Sequence, residues 1–356
     1  LVKLGHEVYI ITSEHDDAIP RENVVRVPGV RLPMKGLKEY RIGKVTRRRV
    51  KEIAKYDFDV IHCHTEFTIG RIGRCIAKKY NIPLVHTYHT MYEEYVHFVS
   101  KTFARSLRFL SKKYFKSFAN SADVVIFPTK KVKDRFKEYG YQKEGRIVPT
   151  GIYLEKFRKI NFSTNELNQL KDTLGIEEND FVLMFLGRVS REKSLGDLIT
   201  NFKTIVQPNI KLLIVGGGPD EDHFKKMVSD LDLKDNVIFT GMVSQVDVPM
   251  YYHLGNLFGN FSMTETQGLT YCEALASSLP LLVKYDKNLD GVIENGVNGY
   301  TFNTNEEFEM TFNMIYKNPI MYNELKTKAS LNIQQFSAQT YGKKVLEIYQ
   351  DLIGKK

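Results

Sequence analysis

Glu265 and Glu273 stand with seven residues between them in the stretch MTETQGLTYCEA (263–274), just ahead of an apolar, helix-like run. Following the strand expected at Asn256–Asn260, Glu265 would hang over the ligand-binding end of the sheet. The amides of Gly268, Leu269 and Thr270 would lie at a helix start, where phosphate is favoured. Glu273, one turn in, can reach back toward a ribose. A simpler role is compatible with this one, because Thr270 and Glu273 also match the Ser/Thr-x-x-Glu capping box. A second group, GRVSREKS (187–194), brings Arg188, Arg191 and Lys193 to the end of an apolar run. A forked donor and a point charge there suit a diphosphate, although a solvated turn has the same composition. A third, IVGGGPDED (214–222), supplies Gly216, Gly217 and Gly218, which let backbone approach a ligand closely. The dinucleotide fingerprint would need glycine at Glu221, and this counts against hydride transfer.

Metal chemistry finds little support. His62 and His64 fall on one side of an expected strand without a carboxylate or thiol to complete a zinc set. Asp57 and Asp59 form an Asp-x-Asp pair, but at the amino end of that strand, away from where such sheets bind ligands. No metal is expected, and no cofactor is required.

The elements that must position these groups alternate between short β-branched runs and longer helical patterns. Strands are expected at Glu7–Thr12, Val60–His64, Leu84–Tyr88, Val124–Pro128 and Arg146–Val148. They resume at Phe181–Leu186, Lys211–Val215, Val237–Thr240, Asn256–Asn260 and Leu281–Val283. Continuous apolar strands alternating with helices predict parallel sheets buried on both faces. The fold class is therefore α/β, with two Rossmann-like, doubly wound domains facing across a cleft. The 356 residues suit two domains of roughly 150 to 200 residues each. We place them at 1–155 and 156–335, with a C-terminal helix at 336–356 packing back on the first. The opening LVKLGHEVYIIT reads as a helix end followed by a strand, so a further strand and loop are expected upstream.

Charge divides between the halves. Residues 1–160 carry 33 basic against 17 acidic groups, a balance of +16, and residues 161–356 carry 18 against 25, a balance of −7. An anionic partner for the first half follows, either nucleic acid or a membrane surface. Over residues 97–120, apolar Val99, Phe103, Leu107, Leu110, Tyr114 and Phe118 recur every three or four positions, a core-facing stripe. Lys101, Arg105, Arg108, Lys112 and Lys116 line the other face, with Phe98 and Phe109 among them and Phe115 at the border. Aromatics among cations suit the headgroup region of an anionic bilayer. KVTRRRVKEIAK (44–55) adds further cations. The three cysteines form no Cys-x-x-Cys pair, which points to a reducing compartment. No apolar run approaches the roughly 18 residues of a membrane span.

Taken in order, GRVSREKS, IVGGGPD, FTGMV (239–243), Glu265-x7-Glu273 and ENGVNGYTF (294–302) resemble the retaining nucleotide-sugar glycosyltransferases of the two-Rossmann (GT-B) type. The resemblance runs essentially from residue 1 to the C-terminus. It implies that Arg188 and Lys193 hold the donor diphosphate, with Gly217 beside it, and that Glu273 accepts from the ribose. It further implies that Glu265 contacts the transferred sugar and that Met242 and Val243 border the base. The backbone of Gly268, Leu269 and Thr270 would cap the phosphate. Finer likeness in HTEFTIGRIGRCIAKKYNIPLVHTYHTMYEEYVHF (64–98) and TETQGLTYCEALASSLPLLVKYDKNLDGVIENGVNG (264–299) is to the bacterial diacylglycerol glucosyltransferases. His89 matches the family histidine that faces the transferred sugar and acceptor. Ser278 departs from the pattern, standing where the family commonly has glycine.

The resemblance implies UDP-glucose as co-substrate, diacylglycerol as acceptor, anomeric retention, and a cytoplasmic enzyme lying peripherally on the inner face of the cell membrane. Glu265, His89, Arg188 and Lys193 are the catalytic candidates. The basic face, through Phe98, Lys101, Arg105, Arg108, Phe109, Lys112, Phe115 and Lys116, would dock on anionic lipid. Other acceptors on the same fold (phosphatidylinositol, a glycolipid, a cell-wall precursor) stay open, as does a nucleotide-sugar epimerase. A basic nucleic-acid-binding protein would leave the donor motifs unexplained, and no nucleic-acid partner is expected.

Overall fold

The computed structural model describes residues 1–16, 18–31, 41–90 and 104–354, with side chains in the helix beginning at Ala104 described from residue 109 onward. The chain forms two compact units, Leu1–Pro149 with Tyr341–Lys356, and Thr150–Thr340.

In the first unit, β1 (Ile10–Ser13) pairs in parallel with β2 (Val24–Val27), and β3 (Val30–Arg31) pairs antiparallel with β4 (Arg41–Ile42). A separate parallel sheet runs β5 (Ile61–Cys63), β6 (Leu84–Thr87), β7 (Val124–Phe127), β8 (Arg146–Ile147) in that spatial order. Helices Thr68–Tyr80, Ala104–Ser121 and Lys130–Glu138 connect these strands. Alternation along the strands sends Leu84, Val125 and Phe127 to one apolar cluster and Val85 and Ile126 to another. The last helix, Ala338–Ile353, covers the second cluster with Val345 and Ile348.

The second unit is built on six parallel strands: β9 (Phe181–Leu186), β10 (Ile210–Val215), β11 (Val237–Phe239), β12 (Leu257–Asn260), β13 (Leu281–Lys284) and β14 (Gly299–Phe302). Their spatial order, β11-β10-β9-β12-β13-β14, is the doubly wound Rossmann order. The same alternation decides the two faces. Val182, Met184, Leu213 and Val215 join one core, while Leu183, Phe185, Leu212 and Ile214 join the other. Each such side chain, fully buried, contributes about 1.5–3 kcal/mol. Order reverses between β9 and β12, so the loops leaving those two strands flank the point where this fold binds ligands.

Four strands were not expected from sequence. β2 is short and starts after Asn23 in the left-handed region (φ +58). β3 and β4 are two residues each, too short for a periodic signal. β14 opens on Gly299, where an added Cβ would strike the Leu281 backbone, so its glycine hides an edge strand that has to pass close to its neighbour.

Ser278 marks a conflict between residue and backbone. It follows the helix Leu269–Ala276 with φ +59. Its amide donates to Leu275 O at 3.0 Å, and the Leu279 amide donates to Ala274 O at 2.9 Å, the paired bonds of a Schellman end. This is the place for glycine, since a side chain in the left-handed region carries a steric penalty. Ser278→Gly is expected to stabilise the second unit by about 1 kcal/mol, raising its melting temperature by ~2–4 °C. A calorimetric scan showing no rise would contradict that expectation.

Candidate functional site

Beyond β9 the chain passes through Gly187 to Arg188, whose side chain is exposed and has no ion-pair partner among the described residues. A short turn, Arg191–Lys193, then closes on Ser194 at φ +51. Lys193 Nζ donates to Glu265 Oε1 at 2.6 Å, with the two side chains 18% and 17% exposed. Arg191 turns elsewhere: its amide donates to Asp220 Oδ2 at 3.0 Å and its guanidinium lies 3.5 Å from Oδ1. Of the three cations that the sequence places here, Lys193 faces the carboxylate and Arg188 is open to a ligand.

The Glu265 loop is held at several points. Ser262 N donates to Asn260 Oδ1 at 2.8 Å, and Thr264 Oγ1 donates to Glu192 O at 3.0 Å. Gln267, 4% exposed, accepts from Thr150 N at 2.8 Å and donates to Thr150 O at 2.9 Å. Sequence reasoning did not single out Gln267; its one signal is an amide where the loop otherwise offers hydroxyls.

The capping-box expectation is corrected. The helix Leu269–Ala276 starts at Gly268, with φ +72 and no side-chain cap, so Thr270 already lies inside the first turn. Glu273 does not reach back to it. Its Oε2 instead accepts from Tyr252 Oη at 2.7 Å. Burial raises the Glu273 pKa, and the Tyr252 bond works against that rise. The Leu269 and Thr270 amides have no backbone acceptor among the described residues, which leaves donors directed out of the helix start.

The glycine triplet has a role that the sequence did not suggest. A Cβ at Gly216 would meet Gly187 O, and one at Gly218 would meet Val189 O. These two glycines let the loops after β9 and β10 touch backbone to backbone, fastened by Val189 N to Gly217 O at 3.0 Å. Gly217 lies under the next loop, its Cβ position 3.2 Å from Met242 N. Met242 is 82% exposed and Val243 packs against the core. The structure thus gathers Arg188, Lys193, Gly217, Met242, Val243, Glu265 and Gly268–Glu273 along the carboxyl edge of one sheet.

In the first unit, His62, His64 and His89 stack, with ring centroids 4.2 Å apart for the first pair and 5.2 Å for the second. His64 Nδ1 and His89 Nε2 share a hydrogen bond of 2.9 Å. His62 lies 2.6 Å from Tyr349 Oη and 2.7 Å from Thr87 Oγ1. Burial lowers all three pKa values, His64 to about 4, and each is further lowered by neighbouring histidines. A pair missed from sequence lies beneath them. His86 and Glu66, 1% and 2% exposed, meet at 3.1 Å, and His86 Nδ1 donates to Cys63 O at 2.9 Å.

The basic helix needs two corrections. Phe115, expected at the surface, is 4% exposed and belongs to the core with Phe118 and Ala119. Leu110 and Tyr114, expected in the core, are 59% and 36% exposed. The buried stripe runs through 115, 118, 119 and 122, so the helix turns Phe109, 58% exposed, outward with Lys113 4.6 Å from its ring centre. Lys112 lies over Tyr139, and Lys116 beside Gly140. Phe98 and Lys101 lie outside the described residues, as do the side chains of Arg105 and Arg108.

Residues 1–156 match the family described as Glycosyltransferase Family 4, and residues 168–331 match Glycosyl transferases group 1. The alpha-monoglucosyldiacylglycerol synthase of Acholeplasma laidlawii is 37% identical over 363 residues, covering 100% of this chain and 91% of that protein. The protein of the same name from Streptococcus pneumoniae is 33% identical, covering 99% and 80%. Among solved structures, HepE from Anabaena with UDP and glucose superposes with a TM-score of 0.76 at 18% identity, covering 97% of this chain and 100% of that one. Sucrose-phosphate synthase from Thermosynechococcus elongatus gives 0.77 at 19%, covering 100% and 91%. These likenesses show the GT-B fold.

The histidine stack generates a pH test. Groups whose folded pKa is lowered bind fewer protons than in the unfolded chain, so their contribution is lost as pH falls from about 6.5 toward the folded value. The first unit should lose stability on acidification from pH 6.5 to about 4, the value to which His64 is lowered. His64→Gln should flatten that loss. An equally acid-sensitive variant would contradict the assignment.

Proposed function

The chain belongs to the glycosyltransferase group 1 family, and on that premise we propose that it transfers glucose from UDP-glucose to the free hydroxyl of 1,2-diacylglycerol with retention. The product is monoglucosyldiacylglycerol. The observation that carries the donor side is the Lys193–Glu265 pair beside open helix amides at the switch point of a Rossmann sheet. The acceptor rests on full-length likeness to two proteins named for that product.

Arg188, Lys193 and the Leu269 and Thr270 amides hold the diphosphate and carry its growing charge as it departs. Donors aimed in advance at developing charge are the largest catalytic term available to such a site. Glu273 accepts from the ribose, Met242 and Val243 border the base, and Glu265 orients the sugar. In the transfer, the bond from the anomeric carbon to the phosphate oxygen breaks and a bond to the acceptor oxygen forms on the same face. The acceptor's proton passes to the leaving phosphate oxygen. His89 serves the acceptor side as a neutral imidazole.

The acceptor resides in lipid, and among the described residues no helix is long and apolar enough to cross a membrane. Docking on the inner face of an anionic membrane brings enzyme and acceptor together. Exposed Phe109 with Lys112 and Lys116 supports this reading, together with Phe98, Lys101, Arg105 and Arg108 from the sequence.

Incubation with labelled UDP-glucose and diacylglycerol in mixed micelles should yield a monoglucosyl lipid, faster with phosphatidylglycerol present. Release of UDP without a lipid product would discard the acceptor. Lys193→Gln is expected to lower kcat about 10²–10³-fold. Replacing Arg105, Arg108 and Lys112 together by Glu should weaken binding to anionic vesicles, and unchanged binding would contradict membrane docking.

A further inference from the structure

Tyr252 sits at the end of the short helix Val248–Tyr252, 1% exposed, with its ring against Phe157 and Phe258. A phenol that deep needs an acceptor for its proton. Two lie within reach: Glu273 Oε2 at 2.7 Å and Thr270 O at 3.4 Å. The shorter contact takes the proton, because a charged acceptor makes the stronger bond. Glu273 Oε1 has no such bond among the described residues, and it is not a buried atom left without a partner. One carboxylate oxygen is therefore clamped from inside the core while the other stays open at the helix start.

We infer that Tyr252 is a positioning residue for donor binding: its buried hydroxyl fixes one oxygen of Glu273 and thereby aims the other at the ribose hydroxyls of the nucleotide. This rests on the reading that Glu273 meets the ribose. The clamp removes the rotational freedom that a lone glutamate side chain would lose on binding. It also offsets part of the burial that disfavours the Glu273 charge. Tyr252 touches no ligand itself. The aromatic ring belongs to the core, so exchanging Tyr for Phe keeps the packing and removes only the oxygen.

The test is calorimetric titration of the full chain with UDP and with 2′,3′-dideoxyuridine diphosphate. Wild-type protein should prefer UDP. Tyr252→Phe should weaken UDP binding about tenfold, as expected for loss of a bond to a charged group, while leaving the dideoxy ligand within about twofold. On a Glu273→Gln background the same change should add nothing further. A variant with unchanged UDP affinity, or one that weakens both ligands alike, would overturn the inference. Equal binding of both ligands by the wild type would instead overturn the ribose assignment of Glu273. A wild type that binds no UDP would overturn the donor reading itself.

Discussion

A cation and a carboxylate held 2.6 Å apart, each less than a fifth exposed, set the terms for the second unit. Opposite charges in so little water attract strongly, but desolvation offsets much of that gain, and each becomes a liability if its partner is lost. The surrounding loops must hold both members still. Thr264 bonds to the Glu192 carbonyl, Gln267 brackets Thr150, and Gly216 and Gly218 let the neighbouring loop lie directly on Gly187 and Val189. Neither the lysine nor the glutamate could keep its geometry on a free loop. On the proposed reading, Lys193 is already balanced by Glu265, and the open Arg188 and the helix amides add the positive field that favours an incoming diphosphate.

That arrangement depends in turn on the sheet beneath it. Strict alternation along β9 and β10 sends successive residues to two separate cores, so both faces of the sheet are covered and the strands end in register. The doubly wound order then leaves a crevice between β9 and β12, and the Lys193 and Glu265 loops emerge on its two sides. In the first unit the same alternation packs β6 and β7 between two clusters, and the histidines collect at the carboxyl ends of β5 and β6.

Most of the strand framework and the order of the donor motifs were legible in the sequence, because buried parallel strands are continuous apolar runs and the motifs lie at strand ends. Contacts between distant residues were not. The Gln267–Thr150 bracket joins positions 117 residues apart, and Tyr252 reaches Glu273 from another helix. The His86–Glu66 pair is hidden for the same reason. The phase of the helix Ala104–Ser121 is hidden for a different reason. Phe109, Leu110, Tyr114, Phe115 and Phe118 are spread around its circumference, so periodicity alone allowed two buried stripes. Packing against Tyr88, Phe127 and Phe136 selected the one through Phe115. At Ser278 the sequence departs from the glycine its family commonly has, and the observed φ supplies the reason that glycine suits the backbone there.

On the proposed reading, this chain's own cations and helix amides hold the donor diphosphate. That reading is tested most directly by titrating UDP into wild-type and Arg188→Gln/Lys193→Gln protein in the presence of EDTA. Tight binding by the wild type that collapses in the double variant is the expected result. Binding that appears only when a divalent cation is added, or that survives loss of both basic side chains, would contradict it.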